Sequence, residues 1–289
     1  METMHSWLAP APRNIAVMIK IRMLFGGMVN FFGWTFLFMG LFMIWVFEIP
    51  AVINSLYQFS SELETAEGSV IKYEQTSISE NNRYVYETHY IFQSAMGEQY
   101  SGRSYAAGEF YQAGQKVRIE YKKDNPLYSR IAGMRAAPTD AWILFVLLFP
   151  FAGLIAVIIG LSGGYKSTHL LRFGEMAEGR LIKRERTSLR VNNRPVIKFT
   201  FEFKAKDGTV NTAAAKTHLW EELEDQAQEK ILHDPASPQK AVLIDNLPAK
   251  LSLSTDGNFQ LAGSSGGLFV FLNLLLPLMT AGLAVLLIL

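Results

Sequence analysis

The sequence predicts a membrane α-helical protein, with three transmembrane helices joined to two related, small, mostly-β modules. Three observations predict it: three long apolar blocks without a charge, a segment that occurs twice, and hydrophobic alternation inside each copy. The 289 residues are 49% hydrophobic, with 20 Phe and 11 Met, and only 18% are charged, against about 25% in ordinary soluble domains. The apolar excess sits in Met23 to Phe47, Ala141 to Leu161 and Gly267 to Leu289. About 20 helical residues cross a bilayer's hydrocarbon core, so each block is long enough to span.

Taken in order, residues 1–22 form an N-terminal segment whose Arg13, Lys20 and Arg22 give the first block a positive flank. That block, 23–47, is too long for a signal-peptide core and no small-x-small cleavage site follows it, so it reads as a retained anchor. Gly26, Gly33 and Gly40 recur in it every seven residues; a heptad drifts only about 20° around a helix, so they form one small-residue seam for helix packing. A β module occupies 48–140. The second block, 141–161, carries a matching seam of Gly153, Ala156 and Gly160. Its Pro150 raises a re-entrant hairpin as the competing arrangement, although arms of about ten residues are too short to cross. A second β module fills 162–250, a linker with "SSGG" covers 251–266, and the third block is 267–289. No ionisable group lies inside any block, which argues against a proton relay or ion pump. Two amides are embedded, Asn30 and Asn273; both are expected roughly 10 Å deep from the same side, facing each other or a shared water or backbone carbonyl.

The repeat runs from "AEGSVIKYEQTSISENNRYVYETHYIF" at Ala66 to "AEGRLIKRERTSLRVNNRPVIKFTFEF" at Ala177, a constant offset of 179 − 68 = 111. Over Ala66 to Gly97, 14 of 32 positions are identical, which marks an internal duplication. In the second copy Ile197, Phe199, Phe201 and Phe203 alternate with Val196, Lys198, Thr200 and Glu202, the pattern of a half-buried antiparallel strand. Tyr86, Thr88, Tyr90 and Phe92 take the matching face in the first. The Asn-Asn pair before each strand is hairpin-turn chemistry. Each copy is thus a barrel or strongly curved sheet. Where the first copy has Ser69, Tyr73, Gln75 and Ser79, the second has Arg180, Arg184, Arg186 and Arg190. Even spacing predicts one basic face, directed at anionic headgroups or an acidic partner.

Each module closes on a second pattern: Gly114-x-x-Val117-x-Ile119-x-Tyr121 with Asn125-Pro126, and "ILHDPASPQKAVLIDNLP" from Ile231. These residues resemble an uncharacterised family of bacterial membrane proteins that carry small β domains beside transmembrane helices. There a strand ending in Tyr is followed by Asp-Pro-x-Asn-Pro and an apolar strand. The first copy departs from it with Lys122-Lys123 in place of Asp-Pro, and the second has His233 in the Tyr position. The resemblance implies the fold and a bacterial cytoplasmic (inner) membrane location, and supplies no catalytic residues.

Charge sets the expected orientation. No Lys or Arg follows the first block until Lys72, whereas Lys166, Arg172, Arg180, Lys183, Arg184 and Arg186 follow the second. Positive charge stays inside, so the N-terminus and second module are expected in the cytoplasm and the first module outside. Arg130 and Arg135 run against this. Candidate chemistry is sparse. The absence of cysteine excludes disulfides, thiolate catalysis and cysteine-ligated zinc. His5, His89, His169, His218 and His233 show no metal-binding spacing, and "LSGGYKST" lacks the frame of a phosphate loop. "LWEELEDQAQEK" after His218 reads as a short helix. A net charge of +1 argues against nucleic acid. The expected function is non-enzymatic, an interaction or regulatory protein. The alternative is an accessory subunit of a transport or channel complex, and a membrane-bound enzyme comes third. No cofactor or metal is expected. Partners are the bilayer and proteins beside it, and a homo-oligomer is compatible with the sequence.

Overall fold

A computed structural model describes residues 8–217, 228–262 and 267–288. The chain divides into two compact units, Met39–Pro150 and Met1–Phe38 with Phe151–Ile288. The first apolar block is two helices rather than one: α1 (Val17–Phe25) and α2 (Met28–Val46). Gly26 leaves the helix extended, and Gly27 turns the chain at φ +85°, which a side chain would resist. The second block is continuous. A 3-10 segment, Ala141–Leu147, feeds α4 (Leu148–Phe173), and Pro150 lies in the first turn of α4, where proline is tolerated. The hairpin at Pro150 is therefore not formed.

Two helices, Met28–Val46 and Ala141–Phe173, are long and apolar enough to cross a membrane. Only 17% and 22% of their apolar windows are buried, whereas the core helix of a soluble protein is mostly buried. Phe36, Phe42 and Trp45 of α2 and Phe151, Ile158 and Ile159 of α4 lie exposed. The last block forms α5 (Gly267–Ile288), whose apolar stretch Phe271–Leu287 is shorter than the other two. By length and composition two helices are thus candidates to cross a membrane, where the sequence predicts three.

The first module begins with a helix that its sequence pattern did not suggest, α3 (Ile49–Gln58), entered through Glu48 in the left-handed conformation. Five antiparallel strands follow: β1 (Glu64–Glu80), β2 (Arg83–Gln93), β3 (Gln99–Ala107), β4 (Lys116–Lys122) and β5 (Asn125–Ile131). Their order is β3-β2-β1-β4-β5. Three hairpin-connected strands with the fourth returning beside the first make a Greek key. β5 then comes back against β3, nearly closing a barrel. The remaining gap is bridged where Tyr105 and Arg135 exchange backbone hydrogen bonds of 2.8 and 3.0 Å and the Ser104 hydroxyl accepts the Ile131 N–H at 2.7 Å. The second module repeats this plan with β6 (Glu175–Val191), β7 (Arg194–Lys204), β8 (Val210–Thr217), β9 (Gln228–Asp234) and β10 (Ser237–Leu243), in the order β10-β9-β6-β7-β8.

The duplication extends through all five strands. Glu64 pairs with Tyr121 and Glu175 with His233, so the offset is 175 − 64 = 111 before the third connection and 233 − 121 = 112 after it. Both Asn-Asn turns hold two left-handed residues, φ 49° and 65° at Asn81-Asn82 and 48° and 64° at Asn192-Asn193, as a type I′ hairpin requires. Both first strands are bulged at the same two places, after Val70 and Gln75 and after Leu181 and Arg186. One side-chain device pins the second bulge in each: Thr76 and Thr187 donate to the Val85 and Val196 carbonyls, both at 2.8 Å, and accept the N–H of Ile78 and Leu189.

The alternation read in β2 and β7 sets the cores. Val70, Tyr90, Phe92, Ile119, Tyr121 and Ile131 cluster in the first barrel, and Ile197, Phe199, Phe201, Phe203, Ile231 and Leu243 in the second. A third cluster joins α1 to the end of α4 through Ile19, Met23, Leu170, Leu171, Leu232 and Phe259. It includes part of the expected linker, where β11 (Leu251–Leu253) pairs with β12 (Phe259–Leu261). The "SSGG" segment and most of the helix expected after His218 lie outside the described residues, and Gln228–Lys230, its last residues, open β9.

Candidate functional site

The two barrels differ most on the arms formed by their first hairpins. Among the described residues, β1 beyond Val70 pairs with β2 alone, and β6 beyond Arg180 with β7 alone. On the first arm Tyr73 lies opposite Thr88 and Gln75 opposite Tyr86. Phe110 stacks on Tyr73 at 4.7 Å and lies 5.2 Å from Tyr86, and with exposed Tyr84 these rings make an aromatic surface. On the second arm Arg184, Arg186 and Arg190 lie opposite Phe199, Ile197 and Pro195, whereas Arg180 lies opposite Glu202. Directly paired residues share a face and Glu202 faces away from the core, so the bulge between Leu181 and Lys183 puts Arg180 on the other side. The one basic face read from even spacing is therefore three arginines, with the fourth behind them. All four are exposed.

The helix-packing residues fall into place unevenly. In the unit Met1–Phe38 with Phe151–Ile288, α2 and α4 meet antiparallel: a Cβ on Gly33 would stand 2.8 Å from the Val157 nitrogen and 3.1 Å from the Ala156 Cβ, and one on Gly153 only 2.4 Å from the Leu37 nitrogen. Gly160 lies against the Asn30 amide oxygen, and Gly164, which seven-residue spacing missed, against the Met23 carbonyl. Gly26 belongs to the helix break and faces Pro248. In the unit Met39–Pro150, Gly40 backs onto Pro150. Asn30 donates to the Leu24 and Gly26 carbonyls at 2.8 and 3.0 Å, which the break has freed. It does not hydrogen-bond Asn273, whose buried amide makes no hydrogen bond among the described residues.

Arg13, read as part of a flanking charge, is buried. It donates to Ala9 O at 2.6 Å, Leu171 O at 3.0 Å and Gly174 O at 2.7 Å, capping the carbonyl end of α4. Burial lowers its pKa, against the attraction of Glu175. Of the histidines, His233 is buried and stacks on Phe203 at 5.3 Å, His169 lies 3.9 Å from Asp234, and His218 is outside the described residues.

A cleft of about 550 Å³ opens along the seam of the first barrel, where β3 and β5 run side by side under α3. Its rim carries His89 and Arg103, whose Nε2 and Nη1 lie 3.1 and 3.3 Å from the Glu87 carboxylate beside it. Its floor carries Tyr90, which donates its hydroxyl hydrogen bond to Ser129 Oγ at 3.0 Å. Burial pushes the Tyr90 phenol up to about 12, with the Ser129 and Ser104 hydroxyls pulling the other way. Gly102 keeps the floor open, since a Cβ there would stand 2.4 Å from the Tyr90 hydroxyl. Sequence reading left this cleft unseen except for His89. The available signal was the pairwise difference between the copies, because Thr88, Tyr90, Ser104 and Ser129 align with Phe199, Phe201, Ala215 and Ala241. Among the described residues no group of three or more His, Asp or Glu side chains is placed to hold a metal.

No protein-family model, curated protein or solved structure matches this chain.

Proposed function

We propose that this is a multi-pass protein of the bacterial cytoplasmic membrane that displays one barrel on each face and acts by binding rather than by catalysis. The observation that carries the reading is the divergence of two copies of one hairpin arm, aromatic in the first barrel and arginine-rich in the second, on frames that keep the same turns and bulges. The fold is held constant while the presented chemistry changes, as expected of a recognition surface. The three arginines are suited to anionic headgroups or an acidic protein surface on the cytoplasmic side. The antiparallel packing of α2 on α4 supports two crossings in opposite directions. α5 would make the third, leaving the N-terminus and second barrel inside.

The test uses the cysteine-free background. A membrane-impermeant thiol reagent on intact cells should label Ser79→Cys, while Thr209→Cys should react only after lysis. Labelling of both from outside, or of neither, refutes the placement of one barrel per face.

A further inference from the structure

We propose that the cleft along the open seam of the first barrel binds a short, neutral saccharide. The inference goes beyond the membrane reading and stands on the unit Met39–Pro150 alone. The cleft's volume, about 550 Å³, lies inside the roughly 300–1,000 Å³ typical of small-molecule sites. The second barrel serves as an internal control. It is built to the same strand order, yet it fills the aligned floor with Phe201, Ala213 and Ala241 where the first barrel has Tyr90, Gly102 and Ser129. Closing this seam therefore does not require buried hydroxyls. Burying them costs free energy unless each is satisfied, and Thr88 Oγ1, fully buried beside this set, has no hydrogen-bond partner among the described residues. The polar floor is thus a departure specific to this copy.

The lining selects the ligand class. Arg103 is paired with the Glu87 carboxylate, toward which His89 also turns, so the charge that Arg103 brings to the rim is already compensated and gives a small anion little hold. The hydroxyls of Ser55 and Ser101 each donate and accept, and that of Tyr90, whose proton goes to Ser129, can accept. Sugar hydroxyls do the same, and a neutral polyol satisfies such a wall without bringing charge into it. Phe59, Tyr105 and Tyr128 supply rings against which the apolar face of a pyranose can lie.

The experiment is saturation-transfer NMR on the full-length protein in a detergent with no sugar headgroup. The probes are cellobiose, di-N-acetylchitobiose, acetate and inorganic phosphate. Saturation should pass to the ring protons of at least one disaccharide, and acetate and phosphate should not compete. Two variants carry residues that the second barrel already tolerates: Tyr90→Phe with Ser129→Ala for the floor, and Arg103→Ala for the rim. Each should weaken binding about tenfold or more, as loss of a site's hydrogen bonds does. Absence of transfer to both sugars, affinity unchanged in both variants, or displacement of sugar by the anions would each overturn the proposal.

Discussion

Tyr90 carries its hydroxyl into the first barrel with Ser129 as its partner, and that burial has a consequence for stability. The unfolded phenol ionises near 10 and the buried one near 12. The folded state therefore keeps its proton where the unfolded state has lost it. The contribution is fully present below pH 10 and declines as pH rises toward 12, by on the order of 2–3 kcal/mol. Wild type should lose more stability than Tyr90→Phe between pH 10 and pH 12 in denaturant titrations; equal losses would refute the assignment. Single residues are also where the sequence was hardest to read. Arg13 reads as a membrane flank from its position, but its three carbonyl partners come from the end of α4 and from Ala9. Asn30 reads as glue between spans, but it caps a break inside its own block.

At the scale of elements, the glycines of α2 and α4 act where backbone meets backbone. Gly33→Leu would drive a side chain into the Val157 and Ala156 main chain and should destabilise the helix pair by about 1–3 kcal/mol. Gly163→Leu should be neutral, because nothing lies within 4 Å of its missing Cβ. Thermal unfolding in detergent compares them, and equal effects would show that α2 and α4 do not pack this way. The arms show what a bulge does to a pattern. Period-two reading assigns all four arginines to one face, and one extra residue after Leu181 reverses the assignment for Arg180 alone. If the remaining three meet anionic lipid, each is worth about 1 kcal/mol. Trypsin should then cut after Arg184, Arg186 and Arg190 more slowly in nanodiscs containing phosphatidylserine than in phosphatidylcholine ones. High salt should abolish the difference, by screening, and identical rates at low salt would count against a lipid-facing arm.

At the scale of the whole molecule, each barrel has a core of its own, Ile119 being fully buried in the first and Ile231 at the equivalent place in the second. Ile119→Ala should cost about 2–5 kcal/mol and raise hydrogen exchange throughout β1 to β5. Exchange in β6 to β10 should stay unchanged; a matching rise there would mean that the two units unfold as one. The sequence by itself determined the duplication, the hairpin turns, the position of the apolar blocks and the inward set Thr88, Tyr90, Phe92, Ile197, Phe199, Phe201 and Phe203, but it put Val196, which is buried, on the outer face. All of these follow from local rules: side chains alternate every two residues along a strand, paired asparagines accept positive φ, and helix length is set by residue count. Only the tertiary structure decided which arginines share a face, where the first block breaks and what Arg13 does. It also decided the seam cleft, whose walls come from α3, β2, β3 and β5. Those segments are distant in the chain, and no periodicity within one of them records which other segment closes the barrel beside it.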